Sequence, residues 1–453
     1  MTRSREVRLA PLTRVEGLGG VHIRLVDGRA ELAEFAIYEP PRFFARLLRG
    51  RAVHEVPDIV ARICGICPVA YQLTACGALE KALGIEVGPA IHRLRRLLAC
   101  GEWIQSHALH VHLLHAPDFL GCESCFSFPA EHAGLLERGL RLKALGSRII
   151  TVLGGRAVHP VNVAVGGFHR APSAVAINDL AAELDWGLHA ALDTLRIVAR
   201  FDFPPFEQTY EHVSLRAPVG YPLEDGRIVV SRDGRTMLDI PVEEHDQHFR
   251  ETELPSSSAP ASVLLPGDRP SLSGPLARIN HCLDQLPPRS RRAADQSGIT
   301  WPCRNIFHSI ATRAIEIAAA CEEGLAIARD CRADLTAARV DYEPRPAEAC
   351  HATEAPRGLL YHRYRIGADG LIADAAIVPP TGRNQPQIGR DLQALLPGIA
   401  TRDDATIATA CERLIRSYDP CISCAAHFLD VRIDRPSGPG AATEFGSCWQ
   451  SGR

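Results

Sequence analysis

Two short segments at opposite ends of this 453-residue sequence carry the residue types best suited to metal chemistry. Arg62-Ile63-Cys64-Gly65-Ile66-Cys67-Pro68 holds one C-x-x-C pair, and Asp419-Pro420-Cys421-Ile422-Ser423-Cys424-Ala425-Ala426-His427 holds another. Side chains at i and i+3 lie on one side of a turn, so each pair can aim two sulfurs at one point. Gly65 relieves crowding inside the first turn. Pro68 suits the first position of a following helix, whose positive end stabilises nearby thiolates. His427 falls one turn after Cys424 and reaches the same region. One pair alone fits buried packing, a redox couple or half a zinc site. Two pairs flanked by Arg, Pro, Asp and His point to zinc, iron–sulfur or another thiophilic metal. Zinc ribbons hold their pairs about 15–20 residues apart. Here almost the whole chain lies between them, so the site must join the two ends of the fold, and a buried centre is expected.

Composition agrees with metal or redox use. Fifteen cysteines is an odd number in a large chain. The N-terminal MTRSREVRLAPLTR has basic charge but no apolar stretch of the signal-peptide kind, so a disulfide framework is not expected. Hydrophobic residues are 46 % and charged residues 23 % of the chain, which excludes a disordered or collagen-like chain. Lys plus Arg is 50 and Asp plus Glu is 53. There is no basic stripe with interleaved aromatics, so nucleic acid is not an expected partner. No apolar run reaches the roughly 18 residues of a membrane span; the best stretch, 149–168, is broken by Arg156, His159 and Pro160.

The elements that must position the cysteines read as one mainly α (α+β) domain over 1–427: a large helical bundle with small peripheral β-sheets. Val21, Ile23 and Leu25, then Ala33, Phe35 and Ile37, alternate about Asp27-Gly28, predicting a β-hairpin within 13–40. The helical core is placed at 57–205 and 300–340. Leu94, Leu97, Leu98, Ile104, Ala108 and Val111 recur at helical spacing from Pro89 to about Ala116. A second helix is predicted from Ala174 to Phe201 and a third from about Phe307 to Ala337. Peripheral strands are expected at 219–250 and 358–380, the latter turning at Ala368-Asp369-Gly370. Pro- and Ser-rich 254–300 reads as a long surface excursion.

The two cysteine segments together resemble the large subunit of [NiFe]-hydrogenases. Thr13-Arg14-Val15-Glu16-Gly17 resembles that family's opening motif, and 156–167 (RAVHPVNVAVGG) its His-Pro…Gly-Gly stretch. Glu354-Ala355-Pro356-Arg357-Gly358 resembles its A-P-R-G motif, and Val378-Pro379…Asn384 the segment that follows. EPPRF at 39–43, RICGICPVAYQ at 62–72 and DPCISCAAHFLD at 419–430 look most like the cytosolic, NAD(P)-linked branch, the sulfhydrogenases.

The resemblance implies a catalytic subunit that cleaves H2 reversibly and heterolytically to protons and electrons. Nickel would be held by Cys64, Cys67, Cys421 and Cys424, and Cys67 and Cys424 would bridge to an iron carrying CO and cyanide. Cys421 or the guanidine of Arg357 would take the proton, and Glu16 would carry it outward. Pro356 would lie over the metals beside Arg357, and Asp419 would orient Arg357. His427 would serve a Mg²⁺-type site, although Ala45 stands where many members have its carboxylate partner. Ser106 stands where some relatives carry an Asp near the metals. The implied partners are an iron–sulfur small subunit, further iron–sulfur and flavin subunits acting on NAD(P), and a maturation endopeptidase cutting between His427 and Phe428 to release 428–453. The implied location is cytoplasmic.

Two other readings compete. A non-catalytic structural relative of the complex I type would lack the four cysteines. A zinc-stabilised interaction protein would not account for TRVEG or A-P-R-G. A third C-x-x-C, Cys122 and Cys125, has no partner pair nearby and reads as packing. His107, His110 and His115 read as buried or interface histidines rather than ligands.

Overall fold

The computed structural model describes residues 4–27, 29–331 and 338–426. Helices Pro89–Ala108, Ala133–Gly154, Ala181–Val198 and Ser309–Arg329 pack against one another as the central bundle. Ser309–Arg329 is buried almost all round, and its Ala311, Ala314, Ala318 and Ala320 let neighbouring helices approach closely. The four site cysteines belong to the main core cluster, together with Leu97, Ile104 and Ile317.

The first three strands, Ser4–Leu9, Gly19–Val26 and Arg29–Ile37, form an antiparallel sheet. Val21, Ile23, Leu25, Ala33, Phe35 and Ile37 are its buried positions, on the core that also holds Ile415, Tyr418 and Ile422. The first sheet therefore packs against the segment around Ile422, and the second cysteine pair reaches the first through this contact. A second antiparallel sheet is built from Ala347–Ala355, Gly358–Ile366 and Ile372–Val378. Although small, it does not lie at the rim, where the sequence places 358–380. Its first strand packs on helix Pro68–Leu83 and is buried from Cys350 onward.

Two other regions differ from expectation. Residues 254–300 are no surface excursion: helix Pro275–Cys282 buries Leu276, Ala277, Arg278, Ile279 and Cys282. Its polar composition was misleading because Arg278 is satisfied inside the protein. The helix predicted to end near Ala116 widens into a π-helical stretch, Leu109–His115, before Ala116–Leu120. Pro117 explains this, since its ring removes an N–H and crowds the carbonyl four residues earlier. The helix expected to run to Ala337 is seen at Ser309–Arg329, and 332–337 lie outside the described residues. Among the described residues no helix is long and apolar enough to cross a membrane.

Candidate metal centre

Local structure aims each cysteine pair before the pairs meet. In the first, the Ile66 and Cys67 amides donate to Cys64 Sγ at 3.2 and 3.4 Å. Helix Pro68–Leu83 starts at once after Cys67, with Pro68 in its first turn. The buried Glu102 carboxylate accepts from the exposed ends of that turn, Val69 N at 2.7 Å and Ala70 N at 3.0 Å, and so fixes the helix start. In the second, helix Asp404–Tyr418 ends at Asp419, which takes a left-handed conformation with φ 54°, as Asp tolerates. Cys421 N then donates to Thr381 Oγ1 at 3.0 Å.

Glu16 stitches this segment to the N-terminus. Its carbonyl accepts from Ile422 N at 3.0 Å and its carboxylate from Ser423 N at 3.1 Å. Gly17 beside it has φ 90°, and a Cβ there would stand 2.7 Å from Ile422 Cβ. Only glycine lets the TRVEG segment lie this close.

Together these elements bring the four sulfurs within 4.8 Å of one another, all buried. Cys64 Sγ lies 3.4 Å from Cys421 Sγ, Cys67 Sγ 3.4 Å from Cys424 Sγ, and Cys421 Sγ 2.8 Å from Cys424 Sγ. Hydrogen bonds from Cys421, Cys424 and Cys67 hold Cys64 well below the ordinary thiol value, while burial pushes Cys421 well above it. Without a cation, four thiolates cannot ionise together in a buried site. The donor set therefore fits one or two soft metal cations bound by thiolate.

Arg357 is the buried cation beside this cluster. Its Nε donates to Asp419 O at 2.8 Å, Nη2 to Asp419 Oδ1 at 3.1 Å, and Nη1 to Ser106 Oγ at 3.3 Å. Burial opposes its charge, but Asp419 and then Cys421, Cys67 and Cys64 outweigh burial and keep it protonated. Pro356 and Arg357 form the two-residue tip between strands Ala347–Ala355 and Gly358–Ile366, where Ala355 pairs with Gly358. Glu16 is half-buried, and burial, then the charge of Cys64, raise its carboxyl above the ordinary value.

The remaining sequence candidates fall elsewhere. Ala45 is fully buried in the short helix Phe44–Leu48. His427 and Phe428 lie outside the described residues. His110 Nε2 bonds Arg416 O at 2.6 Å, His115 Nδ1 lies 3.0 Å from Asp118 Oδ2, and His107 Nε2 lies 2.9 Å from Glu316 Oε2. All three are buried packing histidines. Cys122 is half-buried and Cys125 buried, both as free thiols.

Sequence reasoning missed three side chains. Arg42 Nη2 donates to Ile63 O at 2.8 Å and also to Ser423 O, strapping the turns of both cysteine pairs. It stands inside EPPRF, a phrase read only as a branch marker. Tyr71 is 1 % exposed. Burial, then the charges of Cys424, Cys67 and Cys421, raise its phenol well above the ordinary value, so it stays a proton donor facing the sulfurs. Arg313 donates to Ser417 O at 3.1 Å and Tyr418 O at 3.2 Å, holding the chain just before Asp419. No spacing pattern would have singled out Tyr71 or Arg313.

The nickel-dependent hydrogenase family profile matches residues 42–139 and 277–427. The sulfhydrogenase 2 alpha subunit of Pyrococcus furiosus is 30 % identical over 427 residues, covering 94 % of this chain and 100 % of that protein. The NAD-reducing hydrogenase HoxS beta subunit of Cupriavidus necator is 27 % identical over 474 residues, covering 94 % of this chain and 95 % of its own. Among solved structures, an NAD+-reducing [NiFe]-hydrogenase in the H2-reduced state aligns with a TM-score of 0.85 at 27 % identity, over 93 % of this chain and 99 % of that one. The Dm. baculatum [NiFeSe]-hydrogenase shares the fold, with a TM-score of 0.77 at 22 % identity over 94 % of this chain and 100 % of that one.

Proposed function

This chain belongs to the nickel-dependent hydrogenase family, and from that premise we propose how its own side chains serve the heterolytic cleavage of H2 to protons and electrons. It is an oxidoreductase acting on H2, and its four buried cysteines suit a nickel–iron centre. In our reading Cys64, Cys67, Cys421 and Cys424 would hold the nickel, and Cys67 and Cys424 would also hold an iron carrying CO and cyanide. When bound, this metal pair supplies the electron-accepting centre at which H2 is polarised and split.

The protein supplies the base and the exit. Arg357, fixed by Asp419 and Ser106 and kept protonated by its neighbours, excludes water above the sulfurs as a standing cation, and of the two candidates Cys421 is the first acceptor of the proton. Glu16 contacts the Cys421–Ser423 segment on one side and is half-buried on the other, which suits a group that relays protons outward. Cys64, Cys67, Cys421 and Cys424 are the only metal-ligating group among the described residues. Electrons therefore leave through another chain, an iron–sulfur small subunit.

The similarity to sulfhydrogenase alpha subunits and to an NAD-reducing hydrogenase supports further iron–sulfur and flavin subunits acting on NAD(P), and a cytoplasmic location. A maturation endopeptidase cutting between His427 and Phe428 completes the reading. His427 is assigned to a Mg²⁺-type site without the carboxylate that Ala45 replaces.

The convergence of four thiols from opposite chain ends carries this assignment. Protein from its native host should contain nickel as well as iron and reduce an artificial acceptor with H2. Cys67→Ser and Cys424→Ser should each lack a stable nickel–iron pair. Wild-type protein holding zinc and no nickel would overturn the assignment.

A further inference from the structure

The tip that carries Pro356 and Arg357 cannot hold its own shape well. Two-residue hairpin loops favour turns with positive φ at their first central residue, because those match the strand twist. Pro356 occupies that position, and proline fixes φ near about −65°. The tip therefore departs from the turns that best match strand twist, yet Ala355 still pairs with Gly358, so contacts from outside the hairpin support it. Gly358, with φ 132°, lets the returning strand press on Ser273, whose Oγ a Cβ would meet at 2.3 Å. That contact closes one side only.

The other side is closed by Arg278. A guanidinium has five N–H donors, and here all five are used. Nε donates to Glu316 Oε1 and Nη2 to Glu316 Oε2, both at 2.7 Å. Nη1 donates to Glu354 Oε2 at 2.8 Å and to Ala355 O at 2.9 Å, and Nη2 also donates to Pro356 O at 3.0 Å. The two carbonyls are consecutive, one on the last residue of the strand and one in the tip itself. The plate is backed by the Trp103 ring, with its centroid 4.3 Å away.

Glu316 is anchored in turn by Tyr221 OH, which donates to Oε1 at 2.7 Å. Leu215 N at 2.7 Å holds the second oxygen of Glu354. Arg278, Glu316 and Glu354 have no solvent exposure at their side chains. A buried charge network of this kind adds little net stability, so its retention here asks for another reason.

We propose that Arg278, clamped by Glu316, is a positioning residue for the hydrogenase reaction: by gripping Ala355 O and Pro356 O it sets where the Arg357 guanidinium stands above the four sulfurs. Lysine could not replace it, because a point charge with rotating donors cannot hold two carbonyls and two carboxylates in one plane. The inference rests on the reading of Arg357 given above.

The test uses the nickel-loaded complex carrying Arg278→Lys, with Arg95→Lys as control. Arg95 forms a comparable buried bidentate pair with Glu80, at 2.8 and 2.7 Å, and bonds no atom of the tip. In Arg278→Lys, H2/D2O exchange per nickel should fall by about 100-fold, the loss associated with a displacement of about 1 Å. KM for H2 should stay unchanged, since Arg278 touches no substrate, and the infrared bands of the iron-bound cyanide should shift. Arg95→Lys should lower thermal stability with exchange per nickel and cyanide bands intact. Glu316→Gln, which turns one edge of the clamp into a donor facing donors, should shift both readouts in the same direction by less.

Exchange and bands unchanged in Arg278→Lys would overturn the proposal, as would an equal loss in Arg95→Lys. Failure of Arg278→Lys and Glu316→Gln alike to load nickel while Arg95→Lys loads would overturn it too, because a positioning residue acts after assembly. If Arg357→Lys itself leaves exchange unchanged, the role given to Arg357 fails first, and that result is distinguishable from the others.

Discussion

Replacing Glu16 by Gln separates the observed structural role of this residue from the proton relay proposed for it. Its carbonyl and carboxylate accept from Ile422 N and Ser423 N, at 3.0 and 3.1 Å, which ties the second cysteine pair to the N-terminus. The backbone bond is untouched by the substitution, and the amide oxygen of Gln still accepts from Ser423 N. The structural loss is only the change from a charged to a neutral acceptor at a half-buried position, about 1 kcal/mol. Nickel content and the infrared bands of CO and cyanide should therefore persist.

The proton relay proposed for Glu16 has no such reserve, because an amide does not ionise in this range. Loss of a positioned acid–base group lowers a rate by about 100-fold or more, equivalent to about 2.7 kcal/mol in the barrier. H2/D2O exchange followed by mass spectrometry and normalised to nickel measures this directly. Wild type should also show an acid limb displaced above the ordinary carboxyl range, because burial and the charge of Cys64 raise Glu16, and the variant should lack that limb. Exchange per nickel equal to wild type would remove Glu16 from the route.

Three further outcomes are expected. Arg42→Ala frees Ile63 O and Ser423 O at once, so nickel loss to a chelator should quicken by about 10–100-fold, as for other supporting contacts of ligands; an unchanged rate would show that the strap is dispensable. Asp118 accepts from Arg416 Nε and Nη2 at 2.7 and 2.8 Å and from Arg14 at 2.7 Å, so Asp118→Asn should destabilise the chain by about 3–5 kcal/mol in denaturant melts. Burial works against the Asp118 charge, but His115 and Arg416 outweigh it and hold the carboxyl below its unfolded value of 3.8; its contribution should be whole above about pH 4 and decline as pH falls further, and a variant with wild-type acid sensitivity would contradict this. The active nickel-loaded subunit should have an intact mass ending at His427, and nickel starvation should leave the chain ending at Arg453; a full-length active chain would refute processing.

The sequence by itself determined what is local. The i, i+3 spacing of Cys64 with Cys67 and of Cys421 with Cys424 sets two sulfurs on one side of a turn whatever the fold around them. Alternation fixed the buried face of the first sheet at Val21, Ile23 and Leu25, because a strand turns its side chains every second residue. The motif at 354–358 pointed to Arg357, and Ser106 was noted as standing near the metals, where it bonds Arg357 Nη1.

Tertiary structure decided what depends on satisfying charge away from water. Arg278 lies in a polar stretch that reads as surface, and only the carboxylates of Glu316 and Glu354, with the carbonyls of the Arg357 tip, make its burial tolerable. Arg42 gains meaning only when Ile63 and Ser423 stand side by side. Helical spacing at 89–116 could not reveal the π-helical stretch at Leu109–His115. Its buried histidines His110, His112 and His115 find their partners Arg416, Thr194 and Ser417 on segments far away in the chain. Long-range hydrogen-bond partners leave no period in a sequence, and every residue the sequence reading passed over here is held by such partners or, like Tyr71, set beside sulfurs brought from the other end of the chain.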